Sequence, residues 1–168
     1  MANNILLFTL CIVPSLILMW YVYIKDKVEK EPAYLLIILF IGGIVAAVIS
    51  FLVSSTIKMY LPCLNASYFN MNIIQILFKS FVVIAFIEEF SKWLINYICT
   101  WKNKNFDHIY DPIVYATFIS LGFATFENIL YGFSFSSYGF MPILLRGIIS
   151  VPCHAVFGIF MGYYLGIA

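Results

Sequence analysis

Apolar residues fill five blocks, 5–24, 33–57, 73–100, 112–133 and 140–167, with short polar breaks between them. About 20 apolar residues in helical conformation cross a bilayer, so each block is long enough to span. The first break, from Lys25 to Pro32, is the chain's one charge run and reads as a solvated loop. The second, from Lys58 to Asn72, holds the nominal glycosylation sequon Asn65-Ala66-Ser67, which carries little weight. In the third block Lys79 suits an interfacial first turn, with the crossing starting near Ser80. The fourth block opens on Asp111-Pro112, which predicts Asp111 as helix N-cap and Pro112 at the first helical position. Gly158, Gly162 and Gly166 recur at i, i+4, i+8 in the fifth block and predict a ridge for close helix packing. The pattern predicts an all-α, polytopic transmembrane helical bundle of about five helices. It shows no repeat or linker, so residues 1–168 read as a single membrane domain.

Composition agrees with this picture. The chain has 168 residues, 64% of them hydrophobic and 10% charged, with a mean hydropathy of +1.01. A water-soluble domain of this size could not hide so much apolar surface. The formal net charge of +1 offers no basic stripe for phosphates, which excludes nucleic acid as a partner class. Cys11, Cys63, Cys99 and Cys153 form no CxxC pair and read as inert thiols. The first block has no basic n-region and no A-x-A site, so it reads as a retained helix and not as a cleaved signal peptide. Lys25, Lys27 and Lys30 in the first break, with Lys102 and Lys104 in the third, place those breaks in the cytoplasm and the N-terminus outside. Membrane lipid is the expected surroundings; the oligomeric state stays open.

Chemistry enters through the ionisable residues that cannot reach an interface: Glu88, Glu89 and Lys92 in the third block, Glu127 in the fourth and His154 in the fifth. Arg146 lies nearer the outer end of the fifth. A charge at mid-bilayer costs at least about 2.5–3.5 kcal/mol on insertion scales, so five such residues predict a polar interior site. A single ion pair would suffice to pin a bundle. At about 1.5 Å of rise per residue, Glu88, Glu127 and His154 can meet in the outer half of the membrane. Glu88 and Lys92 share a face at i, i+4, and Glu89 is turned from Glu88 by about 100°. One glutamate is therefore expected to pair with Lys92 while the other points elsewhere. Desolvated carboxylates and an imidazole are what water activation requires. Glu and His are also ordinary zinc ligands, so a divalent metal such as zinc stays open as a cofactor, although no HExxH motif stands behind it. Cys153 beside His154 reads as coincidence, because neighbours on a helix face different ways.

The stretch FIEEFSKW (residues 86–93) resembles the EExxK motif of the PrsW family of intramembrane proteases. DPIVYATFISLGFATFENILY (111–131) resembles that family's second block, with Glu127 and Asn128. RGIISVPCHAVFGIFMGYYLG (146–166) resembles its third, with His154. Pro14 and the exit ending in Glu31-Pro32 are also similar. The resemblance implies an endopeptidase of the bacterial cell membrane that makes the first cut in a single-pass substrate such as an anti-sigma factor. It implies Glu88 and Glu89 as the catalytic pair, with His154, Glu127, Lys92 and Asn128 as supporting polar positions. The family usually has Gly where this chain has Pro112, and it continues past the position of Ala168 with further helices, one bearing an HGxxD-like motif. Two other classes remain in view. One is a non-catalytic scaffold or an ion or proton pathway, the pathway being disfavoured because the ionisable residues cluster in one zone. The other is a CAAX-type prenyl-endopeptidase relative, whose EExxxR spacing would put arginine where Trp93 stands.

Overall fold

The computed structural model describes residues 2–26, 30–101, 106, 108, 110–135 and 139–167. They form five long helices and no strand. We number these α1 (Ala2–Lys25), α2 (Ala33–Tyr60), α3 (73–100), α4 (Asp111–Ser134) and α5 (Met141–Gly166). All but α3 are long and apolar enough to cross a membrane. α3 is as long as α2 but carries Lys79, Glu88, Glu89 and Lys92. The protein is a multi-pass membrane protein. Lys27, Lys102 and Lys104, on which the orientation expectation partly rests, lie outside the described residues.

α4 is the hub. Nearly every side chain from Asp111 to Thr125 is buried, whereas the outer faces of α1, α2 and α5 expose large apolar residues. Such a distribution suits lipid as the solvent, because an apolar exterior costs nothing there. Small residues let the backbones close in. Gly162 lies against the carbonyl of Pro112 and Cα of Ile113, and Gly158 against Ser120 and the Ala116 carbonyl. The partner of the predicted glycine ridge is therefore α4. On its other side, Gly43 of α2 meets Ile119 and Phe123 of α4, and Gly122 of α4 meets the Phe40 carbonyl.

Three local features differ from a plain helical reading. Asp111 is not the N-cap; it lies inside the first turn of α4, and its Oδ2 accepts the backbone N–H of His108 at 2.7 Å. α3 opens at Asn72 with a reciprocal capping box to Gln75, and Lys79 is drawn back to the loop before it, donating to the Ala66 carbonyl at 3.3 Å. Its ammonium also lies 4.4 Å from the Tyr68 ring centroid. Finally, α3 and α5 each contain a π-helical stretch, Phe78–Phe86 and Arg146–Ser150. Such wide turns are rare and shift the facing of every later residue. The second lies just before Pro152, which cannot donate to the preceding turn. The first has no proline to explain it; Ser54 of α2 donates to its Val83 carbonyl at 2.8 Å.

A Cβ at position 162 would meet backbone atoms, which cannot swing aside. Gly162→Val is expected to destabilise the bundle by about 1–3 kcal/mol, the usual cost of overpacking. Thermal unfolding in detergent checks this against Ile159→Val, at a half-exposed position one turn away, which should change little.

Candidate active site

The five interior ionisable residues converge, and the order of contacts is specific. Lys92 has no solvent exposure. Its Nζ donates to Glu89 Oε1 at 2.6 Å and meets His154 Nδ1 at 2.9 Å. The opposite ring nitrogen of His154, Nε2, meets Glu127 Oε2 at 3.1 Å. The same oxygen accepts from Arg146 Nη2 at 2.8 Å, and Arg146 Nε donates to Asn128 Oδ1 at 2.8 Å. The glutamate that pairs with Lys92 is thus Glu89, three residues before it, and not Glu88, four residues before it.

The histidine tautomer is set by its neighbours. An ammonium is a donor only, so Nδ1 must accept and the proton must sit on Nε2, where it is donated to the Glu127 carboxylate. His154 is then a neutral imidazole that links Lys92 to Glu127. The network Glu89–Lys92–His154–Glu127–Arg146 contains two anions, two cations and a neutral ring, so it closes its own charge.

Glu88 stands outside that balance. Among the described residues it has no hydrogen bond or ion pair. It lines a groove of about 430 Å³ between α2, α3 and α4, with Glu127 lining the same groove. Ser50, Ser54 and Lys58 line the groove along α2; Phe123, Phe126, Leu130 and Tyr131 line it along α4, and Phe135 just past its end. From Ala47 to Lys58 the groove follows α2 for roughly 16 Å at the helical rise. That length accommodates about five residues of extended polypeptide.

Sequence reasoning gathered Glu88, Glu89, Lys92, Glu127 and His154, set Arg146 nearer the outer end and took Asn128 from the resemblance; the structure links all of these but Glu88 by hydrogen bonds. It missed the aromatic supports. The Lys92 ammonium lies 4.3 Å from the Phe123 ring centroid, and the Arg146 guanidinium lies 4.1 Å from that of Tyr131. Cation–ring contacts of this kind stabilise a desolvated charge. The signal was available, since residues 123, 127 and 131 recur at i, i+4, i+8. Cys11 is also more than inert filler: its thiol donates to the Asn128 carbonyl at 3.3 Å, tying α1 to the site. Cys153 is exposed and takes no part. Buried polar residues also continue beyond the charged zone, since Asn96 and Thr100 follow Lys92 along the same face of α3.

A family model described as "PrsW family intramembrane metalloprotease" matches residues 31–168. The chain belongs to the PrsW family. It is 41% identical over 155 residues to the protein named Protease PrsW of Oceanobacillus iheyensis, an overlap of 92% of this chain and 66% of that relative. Against the Protease PrsW of Bacillus subtilis the identity is 36%, covering 92% of this chain and 65% of the relative. Against that of Clostridioides difficile it is 36%, covering 95% and 64%. The chain thus spans about two thirds of the length of these PrsW relatives. No solved structure matches it. The metal implied by the PrsW family description does not fit the described residues. No three His, Cys, Asp or Glu side chains among them are grouped to hold an ion. Both ring nitrogens of His154 are engaged, Nδ1 by the Lys92 ammonium and Nε2 by Glu127.

Removing one member of a buried charge pair costs about 3–5 kcal/mol, because the other is left uncompensated. Arg146→Met is therefore expected to destabilise the protein by an amount of that order. Arg146→Met with Glu127→Gln should recover part of the loss. A double-mutant cycle on detergent unfolding checks the sign; strict additivity would show that the two charges do not interact.

Proposed function

We propose that this chain forms the catalytic portion of an intramembrane endopeptidase that makes the first cut in a single-pass membrane protein, such as an anti-sigma factor, near the extracytoplasmic face. One observation carries the proposal. Glu88 is the interior carboxylate left outside the closed charge network, and it lines the groove that fits an extended peptide.

Glu88 acts as general base, taking a proton from a water held between it and Glu127 as that water attacks the scissile carbonyl, and returning it to the leaving amine as the C–N bond breaks. A positioned base of this kind contributes about 10²–10⁴-fold in rate. Glu127 orients the water and is itself held by Arg146 and by the Nε2–H of His154. Glu89 serves Lys92, whose ammonium fixes the imidazole tautomer. The groove lies among the membrane-spanning helices, so charges inside it act at a lower dielectric than in bulk water. An N-terminus outside the membrane, expected from lysine placement, puts the open ends of α2 and α4 at the extracytoplasmic face, which suits a first cut there.

The test co-expresses the full-length gene product with a tagged single-pass anti-sigma factor encoded nearby and reads the substrate's size on a blot. Glu88→Gln is expected to lower cleavage by about 10²–10⁴-fold without loss of inserted protein. Glu89→Gln should retain more activity than Glu88→Gln and instead lower thermal stability. Cleavage undiminished in Glu88→Gln would overturn the mechanism. Binding of the substrate without any shortening by the unaltered protein would replace the enzyme by a scaffold.

A further inference from the structure

The groove has a charged end that the proposed chemistry does not use. Ser50, Ser54 and Lys58 stand at i, i+4, i+8 on α2 and line one wall, with Lys58 at the end nearest the loop to α3. The other basic side chains of the described residues have partners. Lys25 and Lys30 lie over the rings of Tyr21 and Tyr23. Lys79 is bound to the Ala66 carbonyl and Tyr68, Lys92 to Glu89, and Arg146 to Glu127 and Asn128. Lys58 is the described cation whose ammonium has no hydrogen bond, ion pair or ring. It is half-buried, so it is neither lost in solvent nor neutralised by the protein.

The groove is thus polarised along its length, with Glu88 and Glu127 within it and an unpaired cation at its mouth. We propose that Lys58 is a specificity determinant that binds an acidic side chain of the polypeptide lying in the groove, a few residues from the bond that is cut. This rests on the peptidase reading above.

The spacing can be estimated from the helices. The Ser54 hydroxyl bonds the Val83 carbonyl, so these two residues are level. Lys58 lies one turn, roughly 6 Å, beyond Ser54, and Glu88 lies about 7 Å from Val83 in the opposite direction. The separation of roughly 13 Å along the bundle corresponds to about four residues of extended chain. An acidic residue of a bound peptide about four positions from the scissile bond, toward the mouth, would then reach Lys58. A peptide is favoured over an anionic lipid headgroup because Ser50 and Ser54 continue the polar wall from Lys58 inward toward Glu88. A headgroup site would need polarity only at the rim.

The probe is a set of synthetic single-pass peptides in phosphatidylcholine liposomes with the full-length protein. Each carries one Asp or its Asn or Lys counterpart, placed three to five residues from the cleaved bond on either side. The expected result is one position at which Asp raises kcat/KM by about tenfold over Asn, a moderate effect for an ion pair at a partly screened site. In Lys58→Ala the Asp and Asn peptides should be cut equally, and in Lys58→Glu a Lys peptide should become the preferred one. If the unaltered protein cuts the set with no Asp preference, or the preference survives Lys58→Ala, the inference is overturned while the peptidase reading stands. If no peptide is cut, the peptidase reading fails instead, and fluorescence anisotropy of the same peptides decides the inference. A Lys58-dependent Asp preference in binding supports it, and equal binding overturns it. An effect of Lys58→Ala that appears only with phosphatidylglycerol in the liposomes, and equally for Asp and Asn peptides, assigns Lys58 to lipid and also overturns it.

Discussion

A lysine ammonium with no access to solvent has to be satisfied by its neighbours, and in this bundle Lys92 dictates much of what surrounds it. Its chemistry as a pure donor requires acceptors, which Glu89 and His154 supply at 2.6 and 2.9 Å. The Phe123 ring closes another side of it. Those contacts join α3 to α5 and α4, so the one residue welds three helices. They also select the imidazole tautomer, which then presents a proton to Glu127. A hydrophobic residue at 92 would remove the burial cost and leave His154 without a reason to hold that tautomer. The buried charge is therefore better understood as setting geometry than as adding stability, since buried pairs often do little more than repay their own desolvation.

Much of this was legible in the sequence because lipid imposes a severe rule: an ionisable residue in mid-membrane needs a partner. Hydropathy located the five helices to within a few residues, and the same rule gathered Glu88, Glu89, Lys92, Glu127 and His154 into one site. The details that escaped depend on helix phase. An ideal 3.6-residue turn pairs Glu88 with Lys92 in the favourable order, but the structure pairs Glu89, and Lys92 turns toward α5. A regular helix leaves i, i+3 and i, i+4 both within reach of Lys92, and how α3 and α5 face the bundle was unreadable because the π-helical turns of Phe78–Phe86 and Arg146–Ser150 reset their later residues relative to the earlier ones. Only the second had a marker, in Pro152. Asp111 escaped for another reason, since its carboxylate caps the His108 N–H behind it and not the helix ahead.

The π segments also explain how one site is assembled from helices that otherwise pack through small residues. Close approach at Gly158 and Gly162 fixes α5 on α4 below the site, and Gly43 with Gly122 fixes α2 on α4. With backbones held that tightly, the remaining freedom for aiming side chains is rotation of a helix about its own axis. One wide turn supplies that rotation locally without moving the packed ends. The two helices that carry wide turns, α3 and α5, are those that deliver Glu88, Glu89, Lys92, Arg146 and His154, while α2 and α4 run as unbroken α-helices.

Adjacent glutamates are an economical solution to conflicting demands. A site buried in lipid needs closed charge if it is to be stable, yet a reacting carboxylate must not be consumed by that closure. Because neighbours on a helix differ by about 100° in direction, a Glu-Glu pair can serve both ends. Glu89 completes the network through Lys92, while Glu88 remains on the groove side with no hydrogen bond to the described residues. The Lys92–His154 contact and the Ser54–Val83 bond fix how α3 faces its neighbours, and so which glutamate lines the groove. The asymmetry between two chemically identical side chains thus comes from which of them the buried lysine can reach.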